Sequence, residues 1–139
     1  MLNEIERRAL EMLLAGEDDL LAVLRSQLKA ALVARRDLSG GGFFTYLSVP
    51  SHLPRAHGHK RLVLGDLYAE VAGLQHPAGF LLFVTDGTLD VLECFTVDDQ
   101  WPETVTVHRH YYVHPSAPGS ASLVETKERD LRWALRDAV

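Results

Sequence analysis

The chain is poor in reactive chemistry. It has one cysteine, Cys94, among 139 residues, so an internal disulfide is excluded and there is no cysteine cluster to bind zinc. It carries no G-x-S-x-G elbow, no phosphate-binding loop with its lysine, no dinucleotide fingerprint and no H-E-x-x-H, which removes the motifs of the commonest hydrolases, nucleotide enzymes and metalloproteases. Long apolar runs are missing as well. The opening "MLNEIERRALEMLLAGEDD" is short in apolar length and rich in acid, unlike a secretory signal or a membrane span. Net charge is −5, against the basic face that nucleic-acid binding requires. These absences lead us to expect a soluble, cytoplasmic protein with no cofactor and no nucleic-acid or membrane partner.

What is present is an ordinary globular composition, 47% hydrophobic and 24% charged, in a length that suits one domain. Asn3 and Glu6 make a capping-box pattern for a helix over 3–15, with Gly16 as its stop. Leu21, Leu24, Leu28 and Leu32 recur at helical spacing and predict a second helix from Asp18 or Asp19 to Arg36. "LSGGG" then breaks the chain, and the period changes to two. Strands are predicted at 43–50, at 61–73 with a bend near Gly65, on both sides of Asp86–Gly87, and at 104–114. Asp-Gly between two apolar runs is the signature of a type I′ hairpin. "PSAPGSAS" at 115–122 reads as a linker, and Ser122 with Glu125 as the start of a C-terminal helix reaching about Ala138.

A regular two-residue turn at 86–87 pairs Thr85 with Thr88, Val84 with Leu89 and Leu82 with Val91. One face then holds Phe80, Leu82, Val84, Leu89, Val91 and Phe95, with Glu93 among them; the other holds Leu81, Phe83, Leu92 and Cys94. Both faces are apolar, so both call for a cover: sheet curvature, the C-terminal helix or a second copy of the protein. Glu93 is the carboxylate that the pattern places inside. It reads as a general acid or base, with Asp66, Tyr68 and Glu70 on one face of their strand as candidates to line the same cleft. The plainer reading is a structural ion pair, and Arg109 on an otherwise apolar face is a candidate partner for it. Cys94 reads as a small buried hydrophobe, and Trp101–Pro102 as an anchor for its loop.

"TVTVHRHYYVHP" at 104–115 holds three of the seven histidines. Alternation puts His108 and His110 on one face about 7 Å apart, a spacing that two ligands of one metal ion can have. Their companions are Thr104, Thr106, Tyr112 and His114, so the favoured reading is the wet side of a strand. A second H-x-H, at 57–59, lies in a loop. Eight acidic residues and no lysine or arginine lie between Asp66 and Glu103. Asp86, Asp90, Asp98, Asp99 and Glu103 are the candidates to face a basic partner; the plainer reading is that they keep an apolar sheet in solution.

The segment "AGFLLFVTDGTLDVLECFTVDDQWPE", 78–103, resembles a signature of small uncharacterised bacterial proteins that join an N-terminal helical part to a "GFLLFV-DG" hairpin and a Trp-Pro loop. The resemblance implies bacterial origin and a compact α+β domain, and it brings no catalytic role with it.

The expected fold is α+β: two N-terminal helices on an antiparallel sheet of four to five strands, with residues 1–115 as the domain and 116–139 as a linker and C-terminal helix. Curved sheets of the cystatin or NTF2 type offer an analogy for shape alone. The expected function is a non-enzymatic interaction protein, a homodimer through the sheet face or the C-terminal helix, with an acidic surface for a basic protein partner, as in an immunity protein. The alternatives are a ligand-binding or catalytic pocket centred on Glu93, and a histidine metal site at His108 and His110.

Overall fold

The computed structural model describes residues 1–58 and 60–138. It is an α+β protein: three helices on one side of a seven-stranded antiparallel sheet. Helix α1 spans Glu4–Leu13 and α2 Asp19–Leu28. The strands are β1 Leu32–Leu38, β2 Phe43–Ser48, β3 Arg61–Val71, β4 Ala78–Thr85, β5 Thr88–Phe95, β6 Val107–Pro115 and β7 Leu123–Thr126. A single turn of helix, α3 Leu131–Ala134, and a 3-10 turn, Arg136–Ala138, follow. Strand order is β1-β2-β5-β4-β3-β6-β7, so β4 is the centre and β1 and β7 are the edges.

The capping box of α1 forms as the sequence predicts. Glu6 N–H donates to Asn3 Oδ1 at 2.9 Å, and Asn3 N–H donates to Glu6 Oε1 at 2.8 Å. The β4–β5 hairpin also forms as predicted, with Thr85 paired to Thr88 and positive φ at Asp86 (50°) and Gly87 (75°). A side chain at 87 would strike the Ala56 carbonyl at 1.9 Å, so glycine is required there for space as well as for its dihedral.

Two elements differ from expectation. The second helix stops at Leu28, and Leu32–Leu38 is strand β1. The helical stripe that seemed to run through Leu32 ends early because pairing with β2 satisfies this backbone better, and Leu32 itself is exposed. Residues 116–138 hold strand β7, paired with β6, where a helix starting at Ser122 was expected. Glu125 sits in that strand and takes Arg109 as its partner in place of a helical capping role. These two strands raise the expected four or five to seven.

The helix-covered face is a continuous core. Leu10, Leu13, Leu14, Leu21 and Leu24 pack onto Leu62, Leu64, Leu67, Phe80, Leu82 and Leu92, all essentially inaccessible. Glu6, Gln27 and Asp66, fully buried polar side chains of this layer, are hydrogen-bonded, as buried polar groups generally are. Glu6 receives Arg36 at 2.7 and 2.8 Å and Thr45 Oγ1 at 2.5 Å. Burial opposes its charge, but these hydrogen bonds outweigh burial and hold its carboxyl below the ordinary value. Gln27 donates to the Pro54 and Gly87 carbonyls and accepts from Leu89 N–H, which ties α2 to the hairpin. Asp66 and Arg129 form a buried bidentate pair at 2.8 and 2.9 Å. Arg129 also donates to the Met12 and Ala15 carbonyls, which ties the C-terminal segment to the end of α1.

Candidate functional site: the open face of the sheet

A shift of register on β5 sets which residues meet solvent. Leu89 pairs with Val84, but Val91 pairs with Phe83, so Asp90 is the extra residue of a β-bulge. A bulge reverses the facing of everything beyond it. Leu92 and Cys94 turn into the core, while Val91, Glu93 and Phe95 turn to the opposite side with Leu81 and Phe83. The regular register expected from sequence is therefore corrected. Glu93 does not lie among the core residues, and Cys94 is the buried one, its thiol pushed up by burial.

All three helices of the described residues pack on the core side, and none of them covers the other side. Its surface is aromatic. Val91 stands between Tyr46 and Phe83; Glu93 stands between Leu81 and Phe44. Phe95 lies across Gly79, where a Cβ would come within 2.3 Å of the ring. Its ring meets Tyr68 edge-on at 6.2 Å, and Tyr68 stacks with Tyr111 at 6.2 Å. Arginines border the rings: Arg35 lies 4.1 Å over Tyr46, Arg61 5.1 Å over Phe83 and Arg109 4.6 Å over Tyr111.

Two depressions cross this surface. One, of about 420 Å³, is lined by Tyr68, Tyr111, Val97, Val113, Leu123 and Arg109 among others. The second, of about 380 Å³, is lined by Phe44, Tyr46, Phe83, Val91 and Glu93, with Arg61 and Asp90 at its border. Glu93 makes no hydrogen bond or ion pair among the described residues, and desolvation pushes its carboxyl above the ordinary value. The expected Glu93–Arg109 pair does not form. Arg109 is held by Glu70 at 2.7 Å and by both oxygens of Glu125 at 2.7 and 2.8 Å.

The candidate cluster divides between the two faces. Glu93, Tyr68 and Glu70 lie on the open side. Asp66 is on the helix side, fully buried against Arg129. The cause is a second irregularity on β3, between Leu64 and Leu67, which breaks the alternation that would have kept Asp66 with Tyr68. The acidic residues also divide. Asp86 and Asp90 are at the hairpin end, where Asp90 accepts from Thr85 Oγ1 at 2.7 Å. Asp98, Asp99 and Glu103 follow the other end of β5, where Asp99 accepts from Gln75 and His76 N–H.

The histidine strand is turned over relative to expectation. His110 pairs with Ala69 and Tyr112 with Leu67, so both point at the helices. Tyr112 donates to the Met12 carbonyl at 2.6 Å, and the His110 ring lies 6.2 Å from Phe80. His110 Nε2 is buried with no hydrogen-bond partner among the described residues, and burial, with Arg8 adding to it, lowers the ring's pKa. His108 falls at a third shift of register and is exposed. His114 lies 3.4 Å from Asp130. Among the described residues no group of three or more His, Cys, Asp or Glu is placed to hold a metal ion; His59, of the second H-x-H, lies outside them.

Sequence reasoning missed the aromatic role of Phe44, Tyr46 and Tyr111. In "FFTYLS" the residues at 44 and 46 do alternate with the buried 43, 45 and 47, so period-two reading would have found the first two. Compared with protein-family models, curated proteins and solved structures, the chain gives no match. No described helix is long and apolar enough to cross a membrane. Geometry alone therefore carries the functional reading.

Proposed function

We propose that this is a non-enzymatic interaction protein and that the open face of its sheet is the docking surface. The observation that carries the reading is a broad side of the sheet, rich in Phe, Tyr and Arg, that no helix covers. Aromatic residues and arginine are what protein interfaces concentrate at their centres, and an uncovered apolar face of this extent marks association. The acidic groups at the two ends of the β4–β5 ribbon, Asp86 and Asp90 at one and Asp98, Asp99 and Glu103 at the other, border this face. They bias encounter toward basic surfaces without supplying most of the affinity. The test is affinity capture from the native host with wild type and Phe83→Asp, after both pass a melting check. Proteins retained by wild type should be lost from the variant, and Asp98→Lys should slow association without abolishing it. Identical capture by wild type and Phe83→Asp would remove the face from any docking role.

A second reading rests on Glu93 itself. An unpaired carboxylate flanked by Phe44, Tyr46 and Phe83 has the chemistry of a small cation-accepting pocket. Titration with methylammonium, followed by the ring resonances of those three residues, tests it. Shifts that disappear in Glu93→Gln support the pocket, and unmoved wild-type rings end it.

A further inference from the structure

We propose that the occupant of the open face is a second copy of this chain, packed sheet against sheet about a two-fold axis running along β4. The inference rests on the docking reading above and names its partner.

The extent of the face suits this occupant. Seven strands about 4.8 Å apart and eight residues long offer roughly 750 Å² before corrugation, close to the roughly 800 Å² per partner of a specific interface. The strand order suits it too. β5 and β3 flank β4 symmetrically, with β2 and β6 outside them. Aligned sheets pack with their strands within about 30° of one another, so an axis along β4 lays β3 of one copy over β5 of the other. Phe83, two residues before the end of β4, then meets its own counterpart.

Charge supplies the third argument. Arg61 and Asp90 border one depression, yet neither forms an ion pair among the described residues. Arg61 opens β3 opposite Thr85, and Thr85 is opposite Thr88 on β5. Arg61 is therefore level with Thr88, and Asp90, the bulged residue between the levels of Val84 and Phe83, lies about 5 Å further along on the opposite side of β4, within the reach of an arginine side chain. A two-fold along β4 keeps the level and exchanges the sides, so it brings Arg61 of each copy over Asp90 of the other. Two groups with no ionic partner among the described residues thereby gain one each in the dimer, Asp90 keeping its hydrogen bond from Thr85. Glu93, at the level of Leu81, is set over the Gly65 region of the other copy, where no cation waits. Its carboxylate opposes association, which separates a second copy from a basic partner that would bring a cation to it.

Sedimentation equilibrium on the full chain tests the proposal. Wild type should be a dimer at tens of micromolar, and Phe83→Asp, which sets two like charges on the axis, should weaken it by about a hundredfold or more. Phe83→Ser should weaken it less and guards against a folding defect. Arg61→Glu should weaken the dimer about tenfold, the double exchange Arg61→Glu with Asp90→Arg should restore most of the loss, and Glu93→Gln should tighten it. A wild-type monomer at about 100 µM overturns the second copy as partner; loss of a host partner from Phe83→Asp would still uphold the docking reading. A dimer indifferent to both Phe83 variants overturns the face. Failure of the double exchange to restore association, or weakening by Glu93→Gln, overturns the two-fold pairing.

Discussion

The two faces of this sheet are built from the same residue types and treated in opposite ways. On the helix side, Leu82 and Phe80 are essentially inaccessible, and both buried carboxylates have a partner: Glu6 has Arg36, Asp66 has Arg129. On the open side, Phe83 and Leu81 stay half-buried, and Glu93 has no partner among the described residues. The register thus sets a packed layer with paired carboxylates on one side of the sheet and a half-buried aromatic layer on the other, the difference on which the proposed docking role rests.

The comparison breaks most visibly at the buried ion pair. Arg129→Ala should cost about 3–5 kcal/mol, because it strands the Asp66 carboxylate in the core. It also frees the carbonyls that end α1, so urea midpoints and proteolysis of the C-terminal segment should change together. Next come matched truncations on adjacent residues of β4. Leu82→Ala should cost about 2–5 kcal/mol and Phe83→Ser about 1 kcal/mol or less, measured on dilute, monomeric protein; equal costs would show that the open face is already covered.

Acid should loosen the helix side first at His110. Its pKa in the fold lies below the ordinary 6.5, so the unfolded chain binds the extra proton more readily. The stability this neutral ring allows is intact above about pH 6.5 and declines as pH falls through that value toward the folded pKa. Arg8 of α1 faces the ring on that side, and no carboxylate is within salt-bridge reach of it among the described residues. His110→Phe should flatten the decline between pH 7 and about 5.5. Glu6 acts lower. Its depressed pKa means stability that is present above the ordinary 4.5 and lost as pH falls through the folded value. The smallest effect belongs to the open face: ionisation of the desolvated Glu93 opposes folding as pH rises above 4.5, so Glu93→Gln should raise the melting temperature slightly at pH 7 and not at pH 4.

Local signals were legible where a few neighbouring residues decide the outcome. Asn3 with Glu6 announced α1, and Asp86–Gly87 announced the hairpin, because caps and tight turns are closed by bonds within three or four residues. Strand β1 was not legible. "LKAALVARR" continues a helical stripe, and only pairing with β2 turns it into strand, a case of tertiary contact overriding propensity. β7 was hidden for the same reason. Of the candidate site, alternation alone puts Glu93 on the face opposite to the one it occupies and groups Asp66 with residues it does not meet.

The amino-acid order alone settled the α+β class, the helix cap and the central turn, since each depends on contacts near in the chain. Which face every strand residue occupies was decided only in three dimensions. Bulges at Asp90, between Leu64 and Leu67, and at His108 each reverse the alternation beyond them, and a bulge arises from how two distant strands fit together, not from the residues on either one.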